Sequence, residues 1–291
     1  MKDERKGILA AIIVGLIFGT SGILIRWIAD VSEVAITFSR ILIGFIAIAF
    51  FLLLSKEPIK VPDARDYKHF IFLGISVGVG YLFVTFAMKK TLIANASVLL
   101  NTSPIIVLLL APLILKERIS IKQAASILLV FIGASIIVGI DKLSLNPQFI
   151  EGDLFALGDA FMYALYTVYS RKLSKKYSFG AITFWSFGIG ALIALFNMFL
   201  FGGFTTTVPQ ASSIVYLIIL GVAISGVAVA LYNISLEYLK AQITSTIVLL
   251  DPVSATFYGM IFFNEFPSTI SIFGILLVLL GLVFTIYLNS E

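Results

Sequence analysis

The chain has 291 residues, 60% of them hydrophobic and 12% charged, with a formal net charge of +4. An ordinary soluble domain is about a quarter charged, and a single core of this length cannot hide so much apolar surface from water, so the composition excludes a soluble globular protein. The absence of cysteine excludes disulfides and thiolate metal sites.

A helix needs roughly 17–25 mostly apolar residues to cross a hydrocarbon core. The first such run, Gly7–Ala29, follows the charged start Met1–Lys6. It is too long for the apolar part of a signal peptide and lacks a small-residue cleavage pattern, so a retained span is expected. It carries Phe18 and Ser21, and Trp27 near its end reads as an interfacial anchor. The second run, Val34–Leu54, places Thr37, Arg40 and Gly44 on one face. A basic connection, Lys56–Lys68, and His69, read as a solvated loop residue, lead to Phe70–Met88 with Tyr81 as a pocket aromatic or a packing residue. Thr91–Leu115 contains Asn95, Ser97, Asn101 and a mid-helix Pro104, and Ile121–Ile140 carries the small residues Ser126 and Gly133.

The sixth run, Leu154–Leu173, spaces Asp159, Tyr163 and Tyr166 at i, i+4, i+7, one polar stripe on a helix. Phe179–Leu200 holds Trp185, again a pocket aromatic or a packing residue. Ile214–Leu236, Gln242–Phe263 with Asp251 and Pro252, and Ile270–Leu288 with Gly274 and Gly281 complete ten spans. Helices are required because lipid offers open strands no hydrogen-bond partners, and the alternating pattern of a membrane barrel is absent.

The tetrapeptide AITF stands at Ala35–Phe38 and again at Ala181–Phe184. Around that register Gly44 meets Gly190, Arg26 meets Arg171, Pro104 meets Pro252, Glu117 meets Glu265, Ser120 meets Ser268 and Gly133 meets Gly281. One five-helix unit therefore occurs twice, in residues 1–143 and 144–291. Five is odd, so the second copy starts on the opposite side of the membrane and the repeats are inverted. Charge agrees: with the start of the chain inside, fifteen of the 20 Lys and Arg fall in cytoplasmic loops and helix ends, and the equivalent connections Lys56–Lys68 and Gly202–Ser213 exchange a basic for an uncharged sequence. The expectation is an all-α integral membrane protein of the cell membrane, multi-pass, with both termini cytoplasmic.

The segments SPIIVLLLAPLILKERIS (Ser103–Ser120), DPVSATFYGMIFFNEFPS (Asp251–Ser268), AITFSR (Ala35–Arg40) and LYTVYSRKL (Leu165–Leu173) resemble the EamA branch of the drug/metabolite transporter superfamily, over both halves of the chain. The resemblance implies two inverted five-helix units around a central cavity lined by the first four helices of each, with the fifth helices outside. Where that family often has Trp, this chain has Phe18 and Tyr163.

Buried polar residues are expensive in lipid and mark function. Arg40 and Asp159 lie about two turns below the outer helix ends, and Asp251 lies nearer the midplane. Arg40 paired with Asp159 or Asp251 merely to neutralise charge is the alternative to a binding role. The residues expected to bind substrate are Phe18, Ser21, Arg40, Tyr81, Asn101, Asp159, Tyr163, Tyr166, Trp185 and Asp251. Glu117 and Glu265 read as structural, ahead of the N-caps Ser120 and Ser268. The small-residue seams fit a neighbouring helix or a second subunit.

The function these features favour is a secondary transporter, an exporter of small organic metabolites such as amino acids, working by alternating access of the repeats. Partners are a small-molecule substrate, the lipid bilayer and a coupling proton carried by Asp159 or Asp251; no cofactor, metal or nucleic acid is expected. Alternatives are an intramembrane aspartyl-type protease using Asp159 and Asp251, for which Ala156 breaks the expected GxGD pattern, and a passive metabolite channel. Neither a Walker sequence nor HExxH occurs.

Overall fold

The computed structural model describes residues 2–55, 59–60, 62–117, 119–139, 143, 146–203, 208–264 and 266–288. Glu265, Ile140 and parts of the two compared connections lie outside the described residues. Among the described residues ten long helical segments follow one another: α1 (Asp3–Trp27), α2 (Glu33–Ser55), α3 (Tyr67–Lys90), α4 (Ile93–Leu115), α5 (Ile121–Val138), α6 (Ile150–Leu173), α7 (Phe179–Phe201), α8 (Ala211–Tyr238), α9 (Ala241–Phe262) and α10 (Thr269–Tyr287). There is no strand among the described residues. Every segment except α6 is apolar enough to cross a membrane by length and composition. Helix α6 is more polar, carrying Glu151, Asp153, Asp159, Arg171 and Lys172, and it packs on α3 and α4.

Helix ends follow the expected local chemistry. Ser120 caps α5 through a reciprocal box with Gln123, and Ser268 accepts from the Ser271 amide at the start of α10. Helix α6 begins four positions before the expected Leu154, because Glu151 and Asp153 suit a helix N-terminus. His69 departs from its reading as a loop residue. It sits in the first turn of α3, its ring centroid 5.3 Å from that of Tyr169.

Four segments are interrupted, and three of the interruptions sit beside the centre. Helix α1 breaks between Phe18 and Ser21, α4 between Leu100 and Ser103, and α9 between Val248 and Asp251. Pro104 and Pro252 thus occupy the first turn of a new helix, where a missing amide hydrogen costs nothing, rather than kinking a continuous one. In α8 a π-helical stretch, Leu220–Ala228, takes up an extra residue.

The two halves pair by exchange. Exchanging them turns the α3–α6 contact into α8–α1 and the α3–α7 contact into α8–α2, while α2–α7 and α5–α10 map onto themselves. The correspondence reaches single atoms. The Thr37 and Thr85 hydroxyls lie 3.2 Å apart between α2 and α3, and at the equivalent place Asn233 donates to Thr183 at 2.9 Å between α8 and α7. Lys116 and Asn264, equivalent residues ending α4 and α9, share a left-handed backbone with φ 58°. Because each unit has five helices, the second runs through the bundle in the opposite sense to the first.

The small-residue seams face neighbouring helices of the same chain. A Cβ on Gly133 would lie 2.8 Å from the Val278 nitrogen, and one on Gly274 would lie 2.8 Å from the Gly133 oxygen, so α5 and α10 meet backbone to backbone.

Candidate functional site

We call the face on which α1 begins the N-face and the opposite one the far face. A cavity of about 610 Å³ extends from the middle of the bundle to helix ends on the far face, where Met88, Ile93, Val138 and the segment Phe266–Ser268 line it. Its volume lies in the range of small-molecule sites.

The helix breaks build its floor. At the α1 break, a Cβ on Gly19 would fall 2.2 Å from the Ser254 hydroxyl and 2.8 Å from the Asp251 carbonyl, so only glycine lets α1 lie against the second half of α9. Ser254 returns a hydrogen bond to the Gly15 carbonyl at 3.0 Å. These interruptions leave Phe18, Ser21, Asn101 and Asp251 on the cavity wall. On the Asp251 and Asn101 side chains, Oδ1 and Nδ2 respectively are buried with no protein partner.

Arg40 is the cation of the cavity. It is 3% exposed, its Nε donates to the Ser225 hydroxyl at 3.2 Å, and its guanidinium carbon stands 4.3 Å from the centre of the Tyr81 ring. Among the described residues no carboxylate lies within 4 Å of it, and Nη1 has no partner. Arg40 therefore makes no contact ion pair with Asp159 or Asp251. Asp159 lines the wall beside Gly80, whose missing side chain makes room: a Cβ there would come within 3.0 Å of the Asp159 carboxylate. Tyr163 completes the set, its ring centroid 5.3 Å from that of Tyr232.

Two expected residues stand elsewhere. Tyr166 lies below the cavity, next to a separate void of about 40 Å³ shared with Tyr163 and Tyr232, and Asn233 donates to its hydroxyl at 2.7 Å. Trp185 belongs to the N-face, where its indole donates to the Lys60 carbonyl at 3.1 Å. Sequence reasoning missed Ser225, Tyr232 and Asn233. Each sits in an apolar span, and only the neighbouring small residues Gly221 and Gly226 hint that Ser225 meets another helix.

The N-face is closed by contacts that cross between the halves. Glu117 at the end of α4 pairs with Arg171 of α6 at 3.3 Å, and Arg171 also donates to the Leu236 and Glu237 carbonyls. Glu117, read from the sequence as structural, bridges the repeats through Arg171. Lys176 pairs with Asp63 and Asp66, and the Tyr177 hydroxyl donates to Asp66 at 2.8 Å. These hydrogen bonds from Lys176 and Tyr177 hold the Asp66 carboxyl below the usual carboxylate range.

A bundle of inverted five-helix repeats, closed on one face and enclosing a cavity with a few charged and polar side chains on its wall, reached from the other face, defines a membrane transporter. The chain belongs to the EamA-like transporter family, whose model matches residues 5–139 and 150–287, one match per repeat. It is 27% identical over 284 residues to an uncharacterized transporter of Archaeoglobus fulgidus, covering 95% of each chain. It is 23% identical over 279 residues to the uncharacterized transporter YoaV of Bacillus subtilis, again 95% of each. It is 21% identical over 285 residues to mouse solute carrier family 35 member G1, covering 94% of this chain and 76% of that one. A protein of known crystal structure superposes with a TM-score of 0.82 at 17% identity, over 98% of this chain and 99% of the other, which shows the shared fold.

Proposed function

We propose that this protein is a secondary carrier in the cell membrane that exports small zwitterionic metabolites of the amino-acid type by alternating access of its two repeats, with both termini in the cytoplasm. The observation that carries the reading is Arg40. A buried cation with no carboxylate in direct contact is costly unless something supplies the opposite charge at close range, and its free donor is suited to a ligand carboxylate. Asp251 and Asp159 on the same cavity wall suit the ligand's ammonium, and the Asn101 amide offers a further donor. Phe18, Tyr81 and Tyr163 supply aromatic surface for the rest of the molecule.

The excess of Lys and Arg on the N-face supports a cytoplasmic N-face, so the far-face cavity is the release side of an exporter. A carboxylate with no cation within ion-pair distance is free to exchange a proton with cavity water, which makes Asp251 and Asp159 the residues for a coupling proton. Reconstitution into liposomes with a panel of labelled amino acids tests the proposal. We expect saturable counterflow, and Arg40→Met and Asp251→Asn should each lower it by about tenfold or more, the loss of one charge-assisted contact. Flux that never saturates would establish a channel instead, and undiminished counterflow by Arg40→Met would remove the zwitterion assignment.

A further inference from the structure

The cavity ends at Tyr163, and the polar cluster beneath it belongs to no role assigned so far. Between that tyrosine and the N-face, Asn233 donates to the Tyr166 hydroxyl at 2.7 Å and to Thr183 at 2.9 Å, and accepts from Ser170. Beside it the Thr167 and Tyr232 hydroxyls are 2.6 Å apart, and Ser235 meets Thr244 at 3.0 Å. Thr167, Ser170, Ser235 and Asn233 are fully buried. An apolar seal would be simpler to build, because a buried polar network must be satisfied at every member.

Exchange of the repeats tells what this cluster corresponds to. Ser21, Gly22, Arg40 and Val84 line the far-face cavity. Their equivalents, in the register that pairs Arg26 with Arg171 on the first helix of each unit, Thr37 with Thr183 on the second and Thr85 with Asn233 on the third, are Tyr166, Thr167, Ser186 and Tyr232, which all lie in or beside the cluster. The separate void of about 40 Å³ at Tyr163, Tyr166 and Tyr232 lies next to the cavity in that direction, and the two share Phe18, Tyr81, Asp159 and Tyr163 as lining.

We infer that the Tyr166–Thr167–Ser186–Tyr232 cluster is the collapsed wall of a second vestibule, the route by which a ligand passes between the cavity and the N-face. The inference rests on the carrier reading for its motion and adds the path. Exchange replaces Arg40 by Ser186, Asp159 by Val14 and Asn101 by Leu249. The vestibule therefore takes its ligand through hydroxyls and tyrosine rings, while the charged groups stay with the far-face half. Hydroxyls suit such a seal because they trade protein partners for water when it opens, at small net cost.

The chain contains no cysteine, so single cysteines can be introduced without other changes. Thr167→Cys, Ser186→Cys and Ser235→Cys place a thiol on or beside the inferred wall, Ser21→Cys places one in the far-face cavity, and Ile127→Cys, fully buried in α5, reports unfolding. Each is exposed in oriented liposomes to a membrane-impermeant maleimide on the N-face. We expect alkylation at the three wall positions at least about tenfold faster than at Ile127→Cys, and a similar fall when Ser21→Cys is added to each wall variant and a bulky impermeant maleimide applied from the far face first props the cavity open. Wall cysteines that react no faster than Ile127→Cys, in a protein that still shows amino-acid counterflow, overturn the vestibule and leave the carrier standing. Wall cysteines that react equally with and without the prop support the path and overturn alternating access.

Discussion

Replacing Glu117 by Gln removes the charge from one end of the ion pair that ties α4 of the first repeat to α6 of the second. The partners are 3.3 Å apart, with side chains 11% and 17% exposed, so screening by water is slight. A hydrogen bond to a charged group in such surroundings contributes about 1.5–3 kcal/mol. The loss stays below the larger cost of orphaning a buried charge, because Arg171 keeps the Leu236 carbonyl at 2.7 Å and the Glu237 carbonyl at 3.1 Å. On the alternating-access proposal, the pair belongs to the state closed at the N-face and parts when that face opens. The equilibrium should therefore move toward the N-face-open state by between about tenfold and about a hundredfold. Spin labels at Lys122→Cys and Lys175→Cys, exposed N-face sites on α5 and just beyond α6, measure the separation of the halves in liposomes. We expect Glu117→Gln to add or enlarge a longer-distance population. An unchanged distance distribution in a protein of unchanged thermal stability would mean that the pair persists in both states, and the reasoning would fail.

Glycines separate by what their absent side chain would strike. Gly133→Ala meets backbone on α10 and should cost about 1–3 kcal/mol, read as a lower melting temperature in detergent. Gly22→Ala, whose Cβ would meet only the flexible Met88 sulfur at 3.3 Å, should change it little. Gly80→Ala presses a methyl to within 3.0 Å of the Asp159 carboxylate and should raise KM for the transported amino acid while the protein stays folded. On the N-face, Asp66 is held below its ordinary range by Lys176 and Tyr177. Its bonds therefore contribute at neutral pH and are lost as the pH falls below about 4. Acidification should loosen the N-face by the same spin-label distance, and Asp66→Asn should reduce that response, leaving the part carried by Asp63 and Glu117.

The sequence by itself determined the ten spans, their duplication and their inversion. Apolar runs in lipid leave the backbone no choice but helix, and an odd number of helices per copy forces the second copy to start on the other side. The cavity residues on α1, α4, α6 and α9 were legible as well, since a polar side chain in a long apolar run stands out wherever it lies. What Arg40 faces was not legible. Whether it pairs with Asp159 or stacks on Tyr81 beside Ser225 depends on how α2 rotates against α3 and α8, and close packing at Gly44 and Gly221 sets that rotation. The same holds for Trp185, which spacing allowed into the cavity and packing sends to Lys60. Glu117 paired with Arg171, and Asn233 with Tyr166 and Thr183, join residues far apart in the chain. Only the tertiary structure could decide them, because hydrogen bonds act over about 3 Å, and which groups come that close is fixed by the packing of the two repeats against each other.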